Sequence, residues 1–153
     1  MKAKQKEFVL ARPLRWLDLI DKHRVTHGWA PNFAFALISK ALKAQHEGSW
    51  DLSCVKGLLS AGELIAYSTV TEFLEVTRPF GLRPESLISA FGMAETCSGV
   101  SYHLPAAGES IKFVHIDRHH ISGAIRHVSP EDPACISFAS LGPVISGMSM
   151  RIV

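Results

Sequence analysis

The stretch SAFGMAE, residues 89–95, places an aromatic ring, a glycine and a carboxylate within five positions after a short apolar run. Phe91 offers a flat surface on which another ring could stack, and Gly92 lets the backbone approach a ligand closely. Glu95 supplies the oxygen ligands that a hard cation such as Mg²⁺ prefers. The same residues would also suit an ordinary strand-to-helix turn with an acid in the first helical turn. Residue types and spacing leave both interpretations open.

Two other loops combine a glycine with aromatic or acidic residues at the end of a predicted strand. They are THGWAPN, residues 26–32, and SAGE, residues 60–63. Ligands of open α/β sheets lie beyond the carboxyl ends of the parallel strands. If the three strands are neighbours, four residues converge on one crevice: Gly62, Glu63, Phe91 and Glu95. Glycines and acids also mark plain turns, so the spacing alone does not establish a site.

The elements that would position these loops alternate between strands and helices. Apolar periodicity predicts helices over 12–25, from Pro31 to about Gln45, and over 66–78. Short apolar runs predict strands over 25–29, 55–60 and 85–91. This order predicts βαβ units, and therefore an α/β fold with a mainly parallel sheet flanked by helices.

Two further expectations concern burial and the C-terminal part of the chain. The helix after Pro31 has apolar residues on nearly every side, which predicts that it is well buried. Beyond residue 100, four short runs look like strands: IKFVHID, GAIRHV, CISFAS and MSMRIV. We therefore expect a single subdomain over 1–153, with an α/β part over 1–100 and a β-rich extension over 101–153.

Composition excludes several classes of protein. In 153 residues, 47% are apolar and 20% are charged, which favours a folded domain over a disordered chain. A net charge of +2 with scattered Lys and Arg argues against a nucleic-acid-binding protein. The sequence has no apolar run of about 18 residues and no apolar segment after its N-terminal lysines, so it predicts no membrane span and no secretory signal. Three widely spaced cysteines are typical of reduced thiols in a cytoplasmic protein.

The pentapeptide FGMAE is similar to the adenine-binding motif, aromatic-Gly-x-Thr/Ala-Glu, of the adenylate-forming enzymes: acyl-CoA synthetases, luciferases, adenylation domains and fatty acyl-AMP ligases. The resemblance extends over four blocks in the order and rough spacing of that superfamily's middle region. These blocks are RPLRWLDLIDKHRVTHGWAPNFAFALI, SWDLSCVKGLLSAGE, SAFGMAETCSG and SLGPVISGMSMRIV. The stretch APNFAF resembles the fatty acyl-AMP ligases of polyketide and lipopeptide assembly lines. So does the long connection after Glu95, which contains FVHIDRHHISGAIRHV.

The resemblance implies a reaction in which ATP, with Mg²⁺, activates a fatty or other carboxylic acid to an acyl-adenylate. The acyl group would then pass to an acyl carrier protein. Phe91 would stack on adenine, and Glu95 would hold Mg²⁺ against the phosphates. Glu63 would contact the adenine amino group or support its own loop. Further residues would border the nucleotide: Ala61, Gly62, Gly92, Met93 and Ala94. Three would line the acyl pocket: Trp29, Asn32 and Phe33.

The sequence also departs from the family pattern. Phe91 stands where tyrosine is commoner, so stacking is kept but a hydroxyl contact is lost. We find no Gly/Ser/Thr-rich phosphate loop with its lysine, no ribose-binding aspartate and no catalytic lysine of the C-terminal domain. We therefore expect a fragment of a ligase's large N-terminal domain that needs the remaining subdomains and is inactive alone. The alternative is a non-catalytic α/β interaction module derived from that fold.

Two other groups of residues could be taken for sites. His115 and His119 lie four positions apart, but they lie in a predicted strand and turn, where helical facing does not apply. Surface or packing roles are favoured over metal binding. Cys97 follows Glu95 by two positions, and no motif pairs it with a histidine, which favours a small turn residue over a nucleophile.

Overall fold

The computed structural model describes residues 11–44, 48–96 and 98–151. The lysine-rich N-terminus, the predicted helix end at Gln45, Cys97 and the last two residues of MSMRIV lie outside the described residues.

Helices and strands alternate through the first hundred residues, as predicted. The α-helices of the described ranges are α1 (Arg15–His23), α2 (Asn32–Ala44) and α3 (Tyr67–Thr77). The strands are β1 (His27–Ala30), β2 (Gly57–Ser60), β3 (Leu87–Met93), β4 (Ser98–His103), β5 (Phe113–Asp117) and β6 (Cys135–Ala139). No helix within these ranges is long and apolar enough to cross a membrane.

The first four strands form one sheet in the order β1-β2-β3-β4. β1 pairs in parallel with β2, and β2 in parallel with β3. Each parallel connection passes through a helix, α2 or α3, because a parallel pair needs a long crossover. The prediction of a mainly parallel sheet flanked by helices is confirmed.

β4 is not among the strands predicted from the sequence. It returns antiparallel to β3, and the register shifts between Phe91 and Gly92. Tyr102 of β4 lies opposite Ala90, and Ser101 lies opposite Phe91. β4 therefore lies beside the FGMAE segment and contributes side chains to its surroundings.

The core lies between the sheet and α1, α2 and α3. Phe35 of α2 meets Phe73 of α3 edge to face, with ring centroids 4.8 Å apart, and both rings are almost fully buried. The prediction that α2 is buried on nearly every side is wrong. Phe33 is 49% exposed and Leu37 is 36% exposed, because α2 packs against its neighbours on one face only.

The C-terminal part contains a separate two-stranded antiparallel sheet of β5 and β6. These strands match the runs IKFVHID and CISFAS. GAIRHV contributes only an isolated bridge through His127, and the described residues of MSMRIV form no strand. The Ser89 hydroxyl donates to the Ser140 carbonyl at 2.6 Å, which ties this region to β3.

Candidate functional site

The carboxyl ends of β1, β2 and β3 meet at one edge of the sheet and border a cleft of about 380 Å³, here called the central cleft. Six residues that the sequence singled out line it: Trp29, Ala61, Gly62, Phe91, Gly92 and Met93. The structure therefore brings the three predicted loops together, as the rule for parallel sheets requires.

A second cleft of about 400 Å³ lies against β6 of the antiparallel β5–β6 pair, and we call it the hairpin cleft. Gly62, Phe91 and Gly92 line both clefts, and Glu63 lines the hairpin cleft together with Phe138 of β6. The Phe91 ring is 38% exposed, which is high for an aromatic side chain in a sheet. It offers an accessible aromatic face beside the glycine of the SAGE loop.

Two positions of the site require glycine for different structural reasons. Gly62 has a φ of +87°, a conformation that side-chain-bearing residues rarely adopt. Gly92 lies where the β3–β4 register shifts, and a Cβ there would overlap the Ser98 carbonyl and the Gly99 backbone. Gly92 is therefore required by the close approach of β4, whether or not a ligand also approaches it.

Glu95 lies outside both clefts, on the single 3-10 turn Ala94–Thr96 between β3 and β4. The Thr96 hydroxyl donates to the Met93 carbonyl at 3.0 Å and holds this turn. The Glu95 carboxylate is exposed, and it makes no hydrogen bond or ion pair within the part of the chain that the structure describes. Ala94 is likewise exposed and borders neither cleft. The structure therefore does not bring Glu95 to the crevice that Gly62 and Phe91 border. Its role in binding a metal stays a prediction.

The predicted acyl-pocket residues differ in their surroundings. Trp29 lines the central cleft and also a smaller apolar pocket of about 200 Å³ between the start of α1 and α2. Asn32 and Phe33 border neither of these two spaces. The Asn32 side chain accepts from the Ala66 backbone N–H at 3.2 Å, and the Phe33 N–H donates to the Glu63 carboxylate at 2.6 Å.

Sequence reasoning missed the contribution of β4 to the central cleft. Ser98, Gly99 and Tyr102 line it from the side opposite the SAGE loop. Val100 and Tyr102, two positions apart in SGVSYH, are the signal of a strand that the sequence offers there.

His115, one of the two histidines that the sequence suggested as a metal ligand, packs within the fold. The His115 ring meets Tyr67 edge to face and lies 2.9 Å from the Ser137 hydroxyl through Nδ1. No three of His, Cys, Asp and Glu among the described residues are grouped as a metal site would need. Cys54 and Cys135 are free thiols.

Asp117, at the end of β5, is a buried carboxylate with two hydrogen-bond partners. It is 7% exposed and accepts from the His119 backbone N–H at 2.9 Å, and its other oxygen lies 3.0 Å from His120 Nδ1. These bonds, the backbone one first, hold the pKa of Asp117 below its ordinary value. The carboxylate fixes the turn Arg118–His120 that follows β5.

The family model described as "AMP-binding enzyme" matches residues 4–153. The chain belongs to the AMP-binding enzymes. Curated relatives within this family include the putative ligase Rv1013 of Mycobacterium tuberculosis, 37% identical over 92% of this chain and 26% of that protein. Another is the medium-chain-fatty-acid–[acyl-carrier-protein] ligase JamA of Moorena producens, 34% identical over 93% of this chain and 24% of that protein.

Solved structures of AMP-binding enzymes share the fold. The adenylation domain of a keto acid-selecting nonribosomal peptide synthetase module, bound to keto acyl adenylate, superposes with a TM-score of 0.83 at 33% identity. The match covers 92% of this chain and 27% of that one. The chain thus spans about a quarter of the length of the relatives it matches, and it corresponds to part of their large domain.

Proposed function

We propose that this chain forms the adenine- and acyl-binding part of a fatty acyl-AMP ligase. The reaction joins a carboxylic acid to the α-phosphorus of ATP. A carboxylate oxygen forms the new bond to phosphorus, the bond to the β-phosphate oxygen breaks, and pyrophosphate leaves. The thiol sulfur of an acyl carrier protein then forms a bond to the acyl carbon of the resulting acyl-adenylate, the bond from that carbon to the phosphate oxygen breaks, and AMP leaves as the thiol gives up its proton. The observation that carries this proposal is that the exposed Phe91 side chain and Gly62 of the SAGE loop line the same two clefts at the carboxyl ends of the strands.

The clefts suit a nucleotide base in shape and chemistry. Phe91 contributes an exposed aromatic side chain to both clefts, and Gly62 contributes backbone without a side chain. A flat heterocycle between a ring and a peptide plane gains stacking and buried apolar area. Catalysis by such a site depends mainly on positioning and charge neutralisation.

The donor set at the β3–β4 turn fits Mg²⁺ carried by a nucleotide. Mg²⁺ is commonly bound by one or two carboxylates, with substrate phosphates and water completing the shell. Glu95 supplies one exposed carboxylate at the end of the strand that carries Phe91. When bound, the ion would neutralise phosphate charge, and Glu95 would hold it.

The apolar surroundings of Trp29 fit an acid with a hydrocarbon tail. The pocket of about 200 Å³ is bordered by Pro13, Trp16, Trp29, Ala30, Pro31, Ala34, Leu37 and Ile38, none of which is charged. Trp29 is shared with the central cleft, so an acid whose carboxylate lies in the cleft could direct its tail past the indole. The carrier-protein ligase among the relatives supports a fatty acid and a carrier acceptor. We further propose that the protein acts in the cytoplasm together with the remaining subdomains of such a ligase.

The experiment is titration of the complete protein with octanoylsulfamoyl adenosine, a non-hydrolysable mimic of an acyl-adenylate, followed by octanoate-dependent exchange of pyrophosphate into ATP. Phe91→Leu should weaken binding of the mimic about tenfold, because loss of one aromatic stack costs roughly 1–3 kcal/mol. Phe91→Tyr keeps the ring and should bind the mimic as the parent does.

A matched pair of variants tests the role of Glu95, the carboxylate at the β3–β4 turn. Glu95→Gln should lower the exchange rate while leaving binding of the metal-free mimic nearly unchanged. Glu75→Gln removes a charge from an exposed position of α3 and should change neither quantity. Binding of the mimic that is equal in the parent and Phe91→Leu would refute the stacking role of Phe91, and a parent that does not bind the mimic would favour the non-catalytic interaction module.

A further inference from the structure

The loop 60–66 and the segment 29–33 remain in contact beyond the point where β1 and β2 stop pairing. The last register pair of these strands is Ala30 with Ser60. After that pair the two segments diverge, one into α2 and the other into the SAGE loop. Sheet hydrogen bonds therefore no longer fix the distance between them.

Two reciprocal side-chain hydrogen bonds hold the segments together instead. Glu63 of the loop accepts from the Phe33 N–H at 2.6 Å, and Asn32 of the segment accepts from the Ala66 N–H at 3.2 Å. We call these two bonds the interloop link. Phe33 belongs to the first turn of α2, and Ala66 is the N-cap residue of α3. Each bond satisfies a backbone N–H that a helix start leaves without an intrahelical partner.

The link is supported on both sides by further contacts. Asn32 Nδ2 also donates to the Thr69 hydroxyl at 3.5 Å, inside the first turns of α3. The Trp29 indole lies over the loop, with its Cζ2 3.7 Å from the position that a Cβ on Gly62 would take. A displacement of either segment therefore meets resistance from the other.

We propose that Glu63 and Asn32 are positioning residues that couple the acyl side of the site to its nucleotide side. This inference rests on the proposed function, in which Trp29 borders the acid and Ala61 and Gly62 border adenine. An acid that shifts Trp29 or the start of α2 moves the loop through the interloop link. A nucleotide held against the loop restrains Trp29 by the same contacts, and such a coupling is reciprocal in binding affinity. Glu63 acts on the ligands through Phe33 and the loop.

The link itself can be tested by amide hydrogen exchange on the chain without ligands. Glu63→Ala should speed exchange of the Phe33 amide about tenfold, since that amide loses an acceptor that carries charge. Glu63→Gln retains a carbonyl acceptor at the same distance along the side chain and should restore most of the protection. Glu75→Ala, at an exposed position of α3, should leave the Phe33 amide unchanged.

The coupling is tested by equilibrium binding to the complete protein, with α,β-methylene-ATP titrated in the absence and presence of saturating octanoate. We expect octanoate to tighten nucleotide binding at least about fivefold in the parent, within the usual range of coupling between sites. Glu63→Ala should bring this factor close to one, whereas Glu63→Gln and Glu75→Ala should keep it.

The outcomes separate the two claims. A parent protein that binds neither octanoate nor α,β-methylene-ATP overturns the proposed function, and this inference with it. Binding of both ligands with a coupling factor that Glu63→Ala leaves at the parent value overturns the coupling alone. Unchanged exchange of the Phe33 amide in Glu63→Ala would show that the link does not form in solution, and it overturns the inference as well.

Discussion

Gly92→Ala tests the claim that the FGMAE segment is shaped by β4. A Cβ at residue 92 would overlap the Ser98 carbonyl and crowd the Gly99 backbone. These atoms belong to the main chain of the neighbouring strand, so no side-chain rotation relieves the overlap. The chain must either tolerate the overlap or open the end of the β3–β4 hairpin.

The response that costs less free energy sets the size of the loss in stability. Overpacking of a close contact typically costs about 1–3 kcal/mol. Opening the hairpin end breaks two register pairs, Gly92 with Gly99 and Met93 with Ser98. Of two successive antiparallel pairs one carries two hydrogen bonds and the other none, so at about 1 kcal/mol net for each bond that response costs about 2 kcal/mol. We therefore expect Gly92→Ala to lower the free energy of unfolding by about 2 kcal/mol.

Gly28→Ala is the matched control, because Gly28 also lies in a strand of the same sheet. A Cβ there meets only side-chain atoms, Leu58 Cδ2 at 3.3 Å and Trp16 Cζ2 at 3.5 Å, which can move by a few tenths of an ångström. Its cost should stay below about 1 kcal/mol.

The assay is urea unfolding followed by tryptophan fluorescence and circular dichroism, with amide hydrogen exchange across residues 91–102. Gly92→Ala should lose protection in this region, whereas Gly28→Ala should not. Equal unfolding free energies for the two variants, with protection of 91–102 unchanged, would show that the β3–β4 approach is not as close as described.

Three further predictions concern the core, the end of β5 and the proposed acyl side. Phe73→Ala should lower the free energy of unfolding by about 3–5 kcal/mol in urea titration, since the ring is fully buried against Phe35; a loss below 1 kcal/mol would contradict that packing. The pKa of Asp117 lies below the ordinary 3.8, so its stabilising effect is present above that pH and is lost as the pH falls through the folded-state value. The difference in unfolding free energy between the parent and Asp117→Asn should therefore shrink below pH 3.8, and a difference that does not vary with pH would contradict the assignment. Trp29 is 62% exposed, so Trp29→Ala should change stability by no more than about 0.5 kcal/mol while shifting acid preference toward longer chains in pyrophosphate exchange; unchanged preference would count against its place beside the acid.

Local patterns were sufficient to predict the parallel part of the fold. The apolar periods of α1, α2 and α3 and the glycine or proline at their ends are properties of neighbouring residues, so they could be recognised in the sequence. The rule that parallel strands present their carboxyl ends at one edge then predicts that Gly62 and Phe91 lie close together. The family resemblance supplied the proposed roles of Phe91 and Glu95 in FGMAE, which the spacing of residues alone had left open.

Features that depend on contacts between residues far apart in the chain could not be predicted from local sequence and are seen only in the tertiary structure. β4 carries Tyr102 into the central cleft because the chain reverses after Glu95, and nothing in SGVSYH states which strand it will pair with. The exposure of Phe33 depends on which face of α2 the core covers, and the periodicity of a helix that is apolar on several sides does not choose that face.

The three helices, the three parallel strands, the family and the loops that border the site could be predicted from the sequence alone. How those loops are held depends on contacts that only the folded chain makes. Glu63 meets Phe33 thirty residues away, and Gly92 meets the backbone of β4. A hydrogen bond or a steric overlap exists only when the fold brings two atoms close together. Their separation is set by packing and register across the whole sheet, and not by the residues on either side of each atom in the chain.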